Sequence, residues 1–181
     1  MASFMNPDSA IIERARRVRL MLFDVDGVMT DGTIYIGQGA EAMKGFNVRD
    51  GLGLKLLAQA GVEVGLLSAR RSGIVDARAA ELGIELVRQG EGDKRSAYAI
   101  LLAERGLDWP ESGYMGDDLP DLPVLTRCGF AASVPQACDA VKSRVHYVSA
   151  ARAGSGAVRE VCDLIVAAKG LLESAVARYA R

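Results

Sequence analysis

One apolar run of the chain ends abruptly in acidic residues, and this feature constrains the fold more than any other. Residues 20–25 read Leu-Met-Leu-Phe-Asp-Val, and Asp26 and Gly27 follow directly. Side chains two positions apart in a strand point the same way, so Asp24 and Asp26 are expected to leave the carboxyl end of a buried strand together. Buried like charges repel each other and are costly to desolvate. A cation between them, for which Mg²⁺ is the natural choice with oxygen ligands, would offset that cost.

Three further motifs follow in the chain, each at the end of an apolar run or at the start of a helical pattern. Ser68 ends the apolar run 65–68, and Lys94 begins a helical pattern. A short run then ends in Asp117, Asp118 and Asp121. Taken singly, Ser68 could only cap a turn, Lys94 could be a solvated helix residue, and the three acids could cap a helix. Together they predict a charged site at one edge of a sheet.

The chain resembles the haloacid dehalogenase-like phosphohydrolases, whose four motifs are Asp-x-Asp, Ser or Thr, Lys and an acidic Gly-Asp-Asp-x-x-Asp segment. The resemblance implies that Asp24 is the nucleophile and forms an aspartyl-phosphate, and that Asp26 acts as general acid and then as general base. It implies that Ser68 hydrogen-bonds the transferring phosphoryl group and that Lys94 neutralises its charge.

The same resemblance implies a Mg²⁺ cofactor and a ligand set for it. Asp24 and Asp117 would each give a side-chain oxygen, and Asp26 its backbone carbonyl. Asp118 and Asp121 would orient the metal's waters and Lys94 rather than bind the metal. The sequence does not rank these last two residues.

Length and composition limit the alternatives. The chain has 181 residues, a formal net charge of -1 and 50% hydrophobic residues. These values predict one globular domain over residues 1–181, without the basic excess of a nucleic-acid-binding protein. No apolar run reaches the roughly 20 residues that span a membrane, and the N-terminus lacks a signal-peptide pattern. Three scattered cysteines, an odd number, favour reduced thiols in the cytoplasm.

Strand-like and helix-like segments alternate, which predicts an α/β fold: a doubly wound, mainly parallel, Rossmann-like sheet with helices on both faces. Asp50 is the expected N-cap of the second helix. In such a sheet, ligands bind beyond the carboxyl ends of the strands, where all four motifs lie. The predicted sheet strands are 20–25, 62–67, 84–87, 114–115, 129–133 and 145–148, and the predicted helices are 7–19, 50–60, 72–82, 93–105, 119–126 and 157–180, the last bent at Gly170.

Only a small insertion interrupts this pattern. Residues 33–36 and 43–48 read as two strands joined through 37–40, a β-hairpin. Neither this segment nor the one between Ser68 and Lys94 has room for the cap domain that many of these phosphatases carry, so a capless protein is expected.

Segments 23–32, 46–53 and 154–162 sharpen the resemblance, to the capless group that hydrolyses the 8-phosphate of an eight-carbon sugar acid, 3-deoxy-D-manno-octulosonate, on the route to lipopolysaccharide. Members of this group are homotetramers in which hairpins pack together, so the hairpin 33–48 is the expected interface. A sugar acid carries a carboxylate, which arginine binds bidentately. Arg70, Arg49 and Thr33 are the expected substrate-binding residues.

Two alternatives stay open at this point. A phosphatase of a nine-carbon sugar acid 9-phosphate, from the same capless group, would carry the same core motifs. A phospho-accepting receiver domain also uses aspartate, Mg²⁺, Ser or Thr and Lys, but it has its phospho-acceptor on the third strand. Here the third predicted strand, 84–87, has no aspartate at its end, which favours the phosphatase.

Overall fold

The computed structural model of the chain describes residues 8–180 and contains a six-stranded sheet, a two-stranded hairpin and eight α-helices within that range. The strands are β1 (Leu20–Phe23), β2 (Tyr35–Gly37), β3 (Ala40–Met43), β4 (Glu63–Ser68), β5 (Leu86–Gln89), β6 (Ser112–Met115), β7 (Phe130–Ser133) and β8 (Tyr147–Val148). The helices are α1 (Ser9–Arg17), α2 (Val48–Gln59), α3 (Gly73–Leu82), α4 (Lys94–Arg105), α5 (Leu122–Leu125), α6 (Asp139–Lys142), α7 (Ala157–Ala168) and α8 (Leu172–Ala177).

The six-stranded sheet has the order β5-β4-β1-β6-β7-β8, and every neighbouring pair is parallel. The first strand lies near its centre, with Phe23 opposite Leu66 on β4 and Met115 on β6. All four side chains of β1 are fully buried. A strand that buries both of its faces needs helices on both sides of the sheet, so the predicted doubly wound α/β fold is confirmed. Among residues 8–180, none of the helices combines the length and the apolar character needed to cross a membrane.

Most predicted elements lie within a few residues of the observed ones, but the observed hairpin strands differ from the predicted strands 33–36 and 43–48. The hairpin strands are 35–37 and 40–43, joined by a two-residue turn at Gln38 and Gly39. The φ of Gly39 is 82°, a backbone conformation that favours glycine. Residues 44–47 are not part of a strand, and Val48 already begins α2. The pairing register also shifts between Tyr35 and Ile36, so one residue of β3 is extra. This β-bulge breaks the alternation on which the sequence interpretation relied.

The C-terminal region also differs from expectation. The predicted helix 157–180 is two helices in the structure. The first, α7, ends at Ala168 and the second, α8, begins at Leu172; Gly170, between them, has a φ of 74°. A left-handed glycine stops a helix rather than bending it. The short helix α6 was not predicted, because four residues are too few for a periodic pattern.

Asp50 is not the N-cap of α2, as the sequence suggested. Asn47 holds that position and accepts a hydrogen bond from the Arg49 N–H at 2.8 Å. The carboxylate of Asp50 is instead buried and accepts from the backbone N–H groups of Gly156, at 3.2 Å, and Arg159, at 2.8 Å. Because the N-cap position of α7 is Gly156, which has no side chain, Asp50 caps that helix from a distance.

Replacing Asp50 by alanine is expected to destabilise the protein by about 1–3 kcal/mol, since it leaves the buried N–H of Gly156 and the partly buried N–H of Arg159 without an acceptor. Asp50→Asn, which keeps one acceptor oxygen, should lose less. Urea unfolding at neutral pH measures both values, with the exposed Glu173→Ala on α8 as the matched control. Equal stability of Asp50→Ala and Glu173→Ala would contradict the capping role.

Candidate active site

The first acidic residue lies directly beyond the central strand. The backbone N–H of Asp24 donates to the carbonyl of Met115 at 2.9 Å, which extends the β1–β6 pairing by one residue and fixes Asp24 at the sheet edge. The chain then turns sharply at Gly27, where φ is 90°. A side chain at Gly27 would overlap the carboxylate of Asp117. Glycine is therefore needed here both for the turn and for the close approach of the two loops.

Lys94, at the start of α4, connects two carboxylates and a tyrosine hydroxyl from three different segments. Its Nζ lies 2.9 Å from Asp24 Oδ1 and 2.6 Å from Asp121 Oδ1, and it contacts the Tyr114 hydroxyl at 3.1 Å. The Lys94 side chain is only 3% exposed. A lysine this deeply buried stays charged only with close anionic partners, and here the two carboxylates raise its pKa although burial acts to lower it.

Asp121 has all of its oxygens occupied by donors from the protein. Oδ1 also accepts from the Tyr114 hydroxyl at 2.7 Å, and Oδ2 accepts from the N–H groups of Asp117, at 2.9 Å, and Asp118, at 3.1 Å. Its carboxylate thus holds Lys94 and the loop in place. Asp118 itself is exposed. The structure therefore separates two residues that the sequence left unranked, and Asp121 is the one that orients its neighbours.

Asp117 lacks such partners. Its Oδ1 is buried and has no hydrogen-bond partner among the residues that the structure describes. Burial, followed by the negative charges of Asp24 and Asp121, raises the pKa of Asp117 to about 7. Burial and the charge of Asp121 likewise raise the pKa of Asp24 to about 6, against the opposing effect of Lys94. One lysine does not balance this concentration of negative charge.

These carboxylates fit a hard divalent cation. Oxygens of Asp24, Asp117 and Asp121 lie within 4.8 Å of one another. The unpartnered Asp117 oxygen is a ligand atom without a donor, and all-oxygen sets of this kind suit Mg²⁺. Since Asp121 is saturated by protein donors, Asp24 and Asp117 are the side chains best able to bind the ion.

The carboxylate of Asp26 does not join this cluster, contrary to the expectation of a cation between the Asp24 and Asp26 side chains. It forms an ion pair with Lys44 of the hairpin, and its Oδ2 lies 3.7 Å from Arg70 Nε. Between the two aspartates the chain leaves strand geometry, so the two-residue alternation of a strand does not apply to this pair.

The three other expected site residues, Ser68, Arg49 and Thr33, differ in burial and in hydrogen-bond partners. Ser68 is buried at the end of β4, and its Oγ accepts from the Arg70 N–H at 3.2 Å, so it does cap the following turn while its hydroxyl proton can still donate to a ligand. Arg49 donates to the carbonyl of Ser155 at 3.3 Å, beside the loop that precedes α7. Thr33 is exposed, and its N–H donates to Asp31 at 2.8 Å.

Three residues of the site were not found from the sequence. Tyr114 was identified only as a strand residue, yet its hydroxyl contacts both Lys94 and Asp121. Glu41 and Lys44 belong to the hairpin, whose strands the sequence predicted at other positions. Lys44 Nζ lies 2.8 Å from Glu41 Oε1, so the two residues form an ion pair. A tyrosine in an apolar strand and two charges in a short hairpin carry no sequence signal for catalysis.

Comparison with known proteins agrees with this geometry. No family model matches the chain. A 3-deoxy-D-manno-octulosonate 8-phosphate phosphatase from Yersinia pestis is 44% identical over 165 residues, covering 91% of this chain and 88% of the relative.

Solved structures give the same result. The phosphatase of that name from Moraxella catarrhalis, crystallised with a magnesium ion, a phosphate ion and 3-deoxy-D-manno-octulosonate (KDO), matches with a TM-score of 0.91 and 39% identity, over 93% of this chain and 97% of that one. A Legionella pneumophila protein assigned to subfamily III A of the haloacid dehalogenase hydrolases matches with a TM-score of 0.89 and 40% identity, over 94% and 93%. The chain therefore belongs to the 3-deoxy-D-manno-octulosonate 8-phosphate phosphatase family of the haloacid dehalogenase superfamily.

Proposed function

We propose that this chain is a Mg²⁺-dependent phosphatase that hydrolyses 3-deoxy-D-manno-octulosonate 8-phosphate. The observation that carries the proposal is the cluster in which Lys94 joins Asp24 to Asp121 while an oxygen of Asp117 stays unpartnered. Such a cluster is costly for folding and useful for binding a cation and a phosphate group. Family membership supports the choice of substrate.

The residues suit hydrolysis through a covalent intermediate. A carboxylate oxygen of Asp24 attacks phosphorus, the bond from phosphorus to the sugar oxygen breaks, and Asp26 gives its proton to that oxygen. In the second step Asp26 takes a proton from the water that attacks phosphorus, phosphate leaves, and the Asp24 carboxylate is restored. Lys94, and Ser68 through its hydroxyl proton, would stabilise the charge of the phosphoryl oxygens.

Asp24, Asp117 and the backbone carbonyl of Asp26 would hold the Mg²⁺ ion. When bound, the ion supplies positive charge that screens the nucleophile from the phosphate and stabilises the phosphoryl oxygens. Asp121 keeps Lys94 and the backbone of the Asp117 loop in position for this.

Recognition of the sugar acid is assigned to the arginines near this edge. Arg70 is half exposed and reaches towards Asp26, so its guanidinium is available to a carboxylate beside the reacting group. Thr33 lies on the loop before the hairpin and Arg49 in the first turn of α2 after it, and we assign them weaker, peripheral contacts with the substrate.

We further propose that the chain assembles as a homotetramer through the hairpin. The hairpin and its flank expose Ile36, Tyr35, Met43 and Ile34, and Ile36 is 76% exposed. The charged residues Glu41 and Lys44 of the same hairpin face inward. The hairpin thus exposes apolar side chains and buries charged ones, the reverse of an ordinary protein surface. An exposed apolar patch of this kind is typical of a protein interface. Sedimentation should give a tetramer that Ile36→Asp dissociates, and a monomeric wild type would contradict it.

A cytoplasmic location is proposed on the state of the cysteines. Cys128, Cys138 and Cys162 are unpaired in the structure, and two of them are buried. Free buried thiols are usual in a reducing compartment.

The experiment that tests the function is Mg²⁺-dependent phosphate release from three substrates. We expect kcat/KM for the eight-carbon sugar acid 8-phosphate to exceed that for a nine-carbon sugar acid 9-phosphate and for an aryl phosphate by about a hundredfold, or about 2.7 kcal/mol in the transition state. A chelator should abolish turnover, and added Mg²⁺ should restore it. A higher kcat/KM for the nine-carbon substrate would show that the eight-carbon sugar acid phosphate is not the preferred substrate. Full activity in metal-free buffer would refute the metal site.

Stability should depend on pH in a direction set by Asp24 and Asp117. Their pKa values lie above the ordinary 3.8 in the folded, metal-free protein, at about 6 for Asp24 and about 7 for Asp117. The fold therefore loses stability as pH rises from about 4 to these values, because over that range the carboxyl groups ionise more readily in the unfolded chain. His146, whose pKa is lowered by burial, acts in the opposite direction over the same range. The contribution of the carboxylates is therefore measured as the difference from Asp117→Asn.

We expect that wild type gains stability relative to Asp117→Asn when the pH falls from 7.5 to 5.5 in chelator. Mg²⁺ should raise the wild-type melting temperature more at pH 7.5 than at pH 5.5, because its ligands must be deprotonated. Differential scanning calorimetry at both pH values measures these shifts. A Mg²⁺ shift as large in Asp117→Asn as in wild type would contradict the ligand assignment.

A further inference from the structure

The hairpin carries a buried group of charges that the reaction described above does not use. Lys44 follows β3, and its side chain is only 1% exposed. It forms ion pairs with Asp26 and with Glu41, the latter at 2.8 Å. Glu41 in turn accepts a hydrogen bond from the hydroxyl of Ser72, the residue before α3. Four side chains thus form a continuous path from the loop after β1, through the hairpin, to the start of α3.

The β-bulge in the hairpin makes this arrangement possible. Tyr35 pairs with Met43 and Ile36 pairs with Glu41, so Ala42 is the extra residue. An extra residue re-aims the side chains that follow it. Glu41 and Lys44, three positions apart, therefore meet on the inner side, while Met43 between them is exposed.

Lys44 binds one particular oxygen of Asp26. Its Nζ donates a hydrogen bond to Oδ1, whereas Oδ2 lies 3.7 Å from Arg70 Nε, beyond hydrogen-bond length. A carboxyl group that accepts a hydrogen bond at Oδ1 carries its proton on Oδ2. The contact therefore selects the oxygen that exchanges a proton and fixes the direction in which it points.

We propose that Lys44 is a positioning residue that holds Asp26 ready for proton transfer, and that Glu41 and Ser72 hold Lys44. Lys44 has both of its carboxylate partners within the protein and is buried, so it acts through Asp26 rather than on the substrate. This inference rests on the proposed function, because it assigns a partner to the acid and base of that reaction.

The test compares Lys44→Met with wild type on the sugar acid phosphate and on p-nitrophenyl phosphate. Lys44→Met keeps the apolar stem but leaves Asp26 and Glu41 facing each other, so Asp26 should turn away. On the sugar acid phosphate, kcat should fall by about 100-fold, the loss expected for a misplaced catalytic group, with KM nearly unchanged. Lys55→Met, on the exposed face of α2, is the matched control and should keep wild-type rates.

The aryl substrate separates positioning from general damage. Nitrophenolate is a good leaving group and needs no proton, so its first turnover should proceed near the wild-type rate. Later turnovers need Asp26 to activate water, and the variant should therefore show a burst of nitrophenolate followed by slow release. Glu41→Gln should show the same burst with a smaller loss of kcat, since the amide still accepts hydrogen bonds.

Three results would overturn the inference. Wild-type kcat in Lys44→Met would show that the contact is not needed. A raised KM with unchanged kcat would make Lys44 a substrate contact. Equal losses in the first aryl turnover and in steady state would indicate general distortion of the site. If Lys44→Met does not fold, Lys44→Arg takes its place, with the same burst expected. A wild-type protein inactive on every phosphate ester would refute the proposed function instead.

Discussion

Asp24→Asn is expected to lower kcat by at least about 10⁴-fold, as loss of a covalent nucleophile does in other enzymes, while the protein stays folded. The amide oxygen of asparagine can still accept the Lys94 hydrogen bond, which wild type makes at 2.9 Å. The substitution also removes a charge whose ionisation in this buried position is opposed by Asp121. Metal-free Asp24→Asn should therefore be at least as stable as wild type at neutral pH.

The measurement is phosphate release under saturating Mg²⁺, combined with thermal unfolding in chelator and sedimentation. Asp139→Asn is the matched control, because the Asp139 side chain is 99% exposed on α6. Turnover by Asp24→Asn above a hundredth of wild type would end the nucleophile assignment. If the variant loses activity and is also unfolded, the loss of activity comes from unfolding and not from the missing nucleophile. The stability measurement distinguishes that result from the expected one.

Lys94→Met is expected to cause the largest loss of stability, about 3–5 kcal/mol, because it leaves buried carboxylates without their cation. Asp24 and Asp121 are 10% and 2% exposed at their side chains, so water does not replace the ammonium group. The Tyr114 hydroxyl also loses a partner. Activity should fall by at least about 100-fold, as for removal of one charge-stabilising donor.

Urea unfolding in chelator at pH 7.5 and pH 5 measures this loss. Because the pKa of Asp24 is already raised, its protonation at pH 5 should remove part of the penalty. The double variant Lys94→Met/Asp121→Asn should recover stability relative to Lys94→Met, since one of the unpaired charges is gone. A loss below about 1 kcal/mol at pH 7.5, typical of exposed pairs, would mean that Lys94 does not hold the carboxylates together.

The parallel sheet and the carboxyl-terminal edge of the site could be predicted from the sequence because both follow from local patterns. Most sheet strands are short and mainly apolar, and Asp24, Ser68 and Asp117 lie at or just beyond strand ends. Once such strands run parallel, their ends meet at one edge of the sheet. Lys94 was likewise identifiable, because it begins a clear amphipathic helix after Asp93.

The contacts of Lys44 and Asp50 could not be predicted, for a physical reason common to both. Each residue acts at a position distant in the chain: Lys44 on Asp26, and Asp50 on Gly156 and Arg159. A β-bulge directs the first, and the packing of two helices directs the second. Sequence periodicity describes which face of one element is apolar, and it carries no information about a polar group on another element.

The central position of β1 affects the order in which the protein can form. β1 lies between β4 and β6, so the strand that precedes Asp24 must wait for partners about 40 and 90 residues later in the chain. Lys94 and Asp121, which complete the surroundings of Asp24, also come late in the chain: Lys94 lies 70 residues after Asp24, and Asp121 lies 27 residues after Lys94. Until then the nascent chain exposes both edges of its most apolar strand. Pairings this distant fold slowly, so we expect the apolar run before Asp24 to be the segment of this chain most prone to aggregate during synthesis.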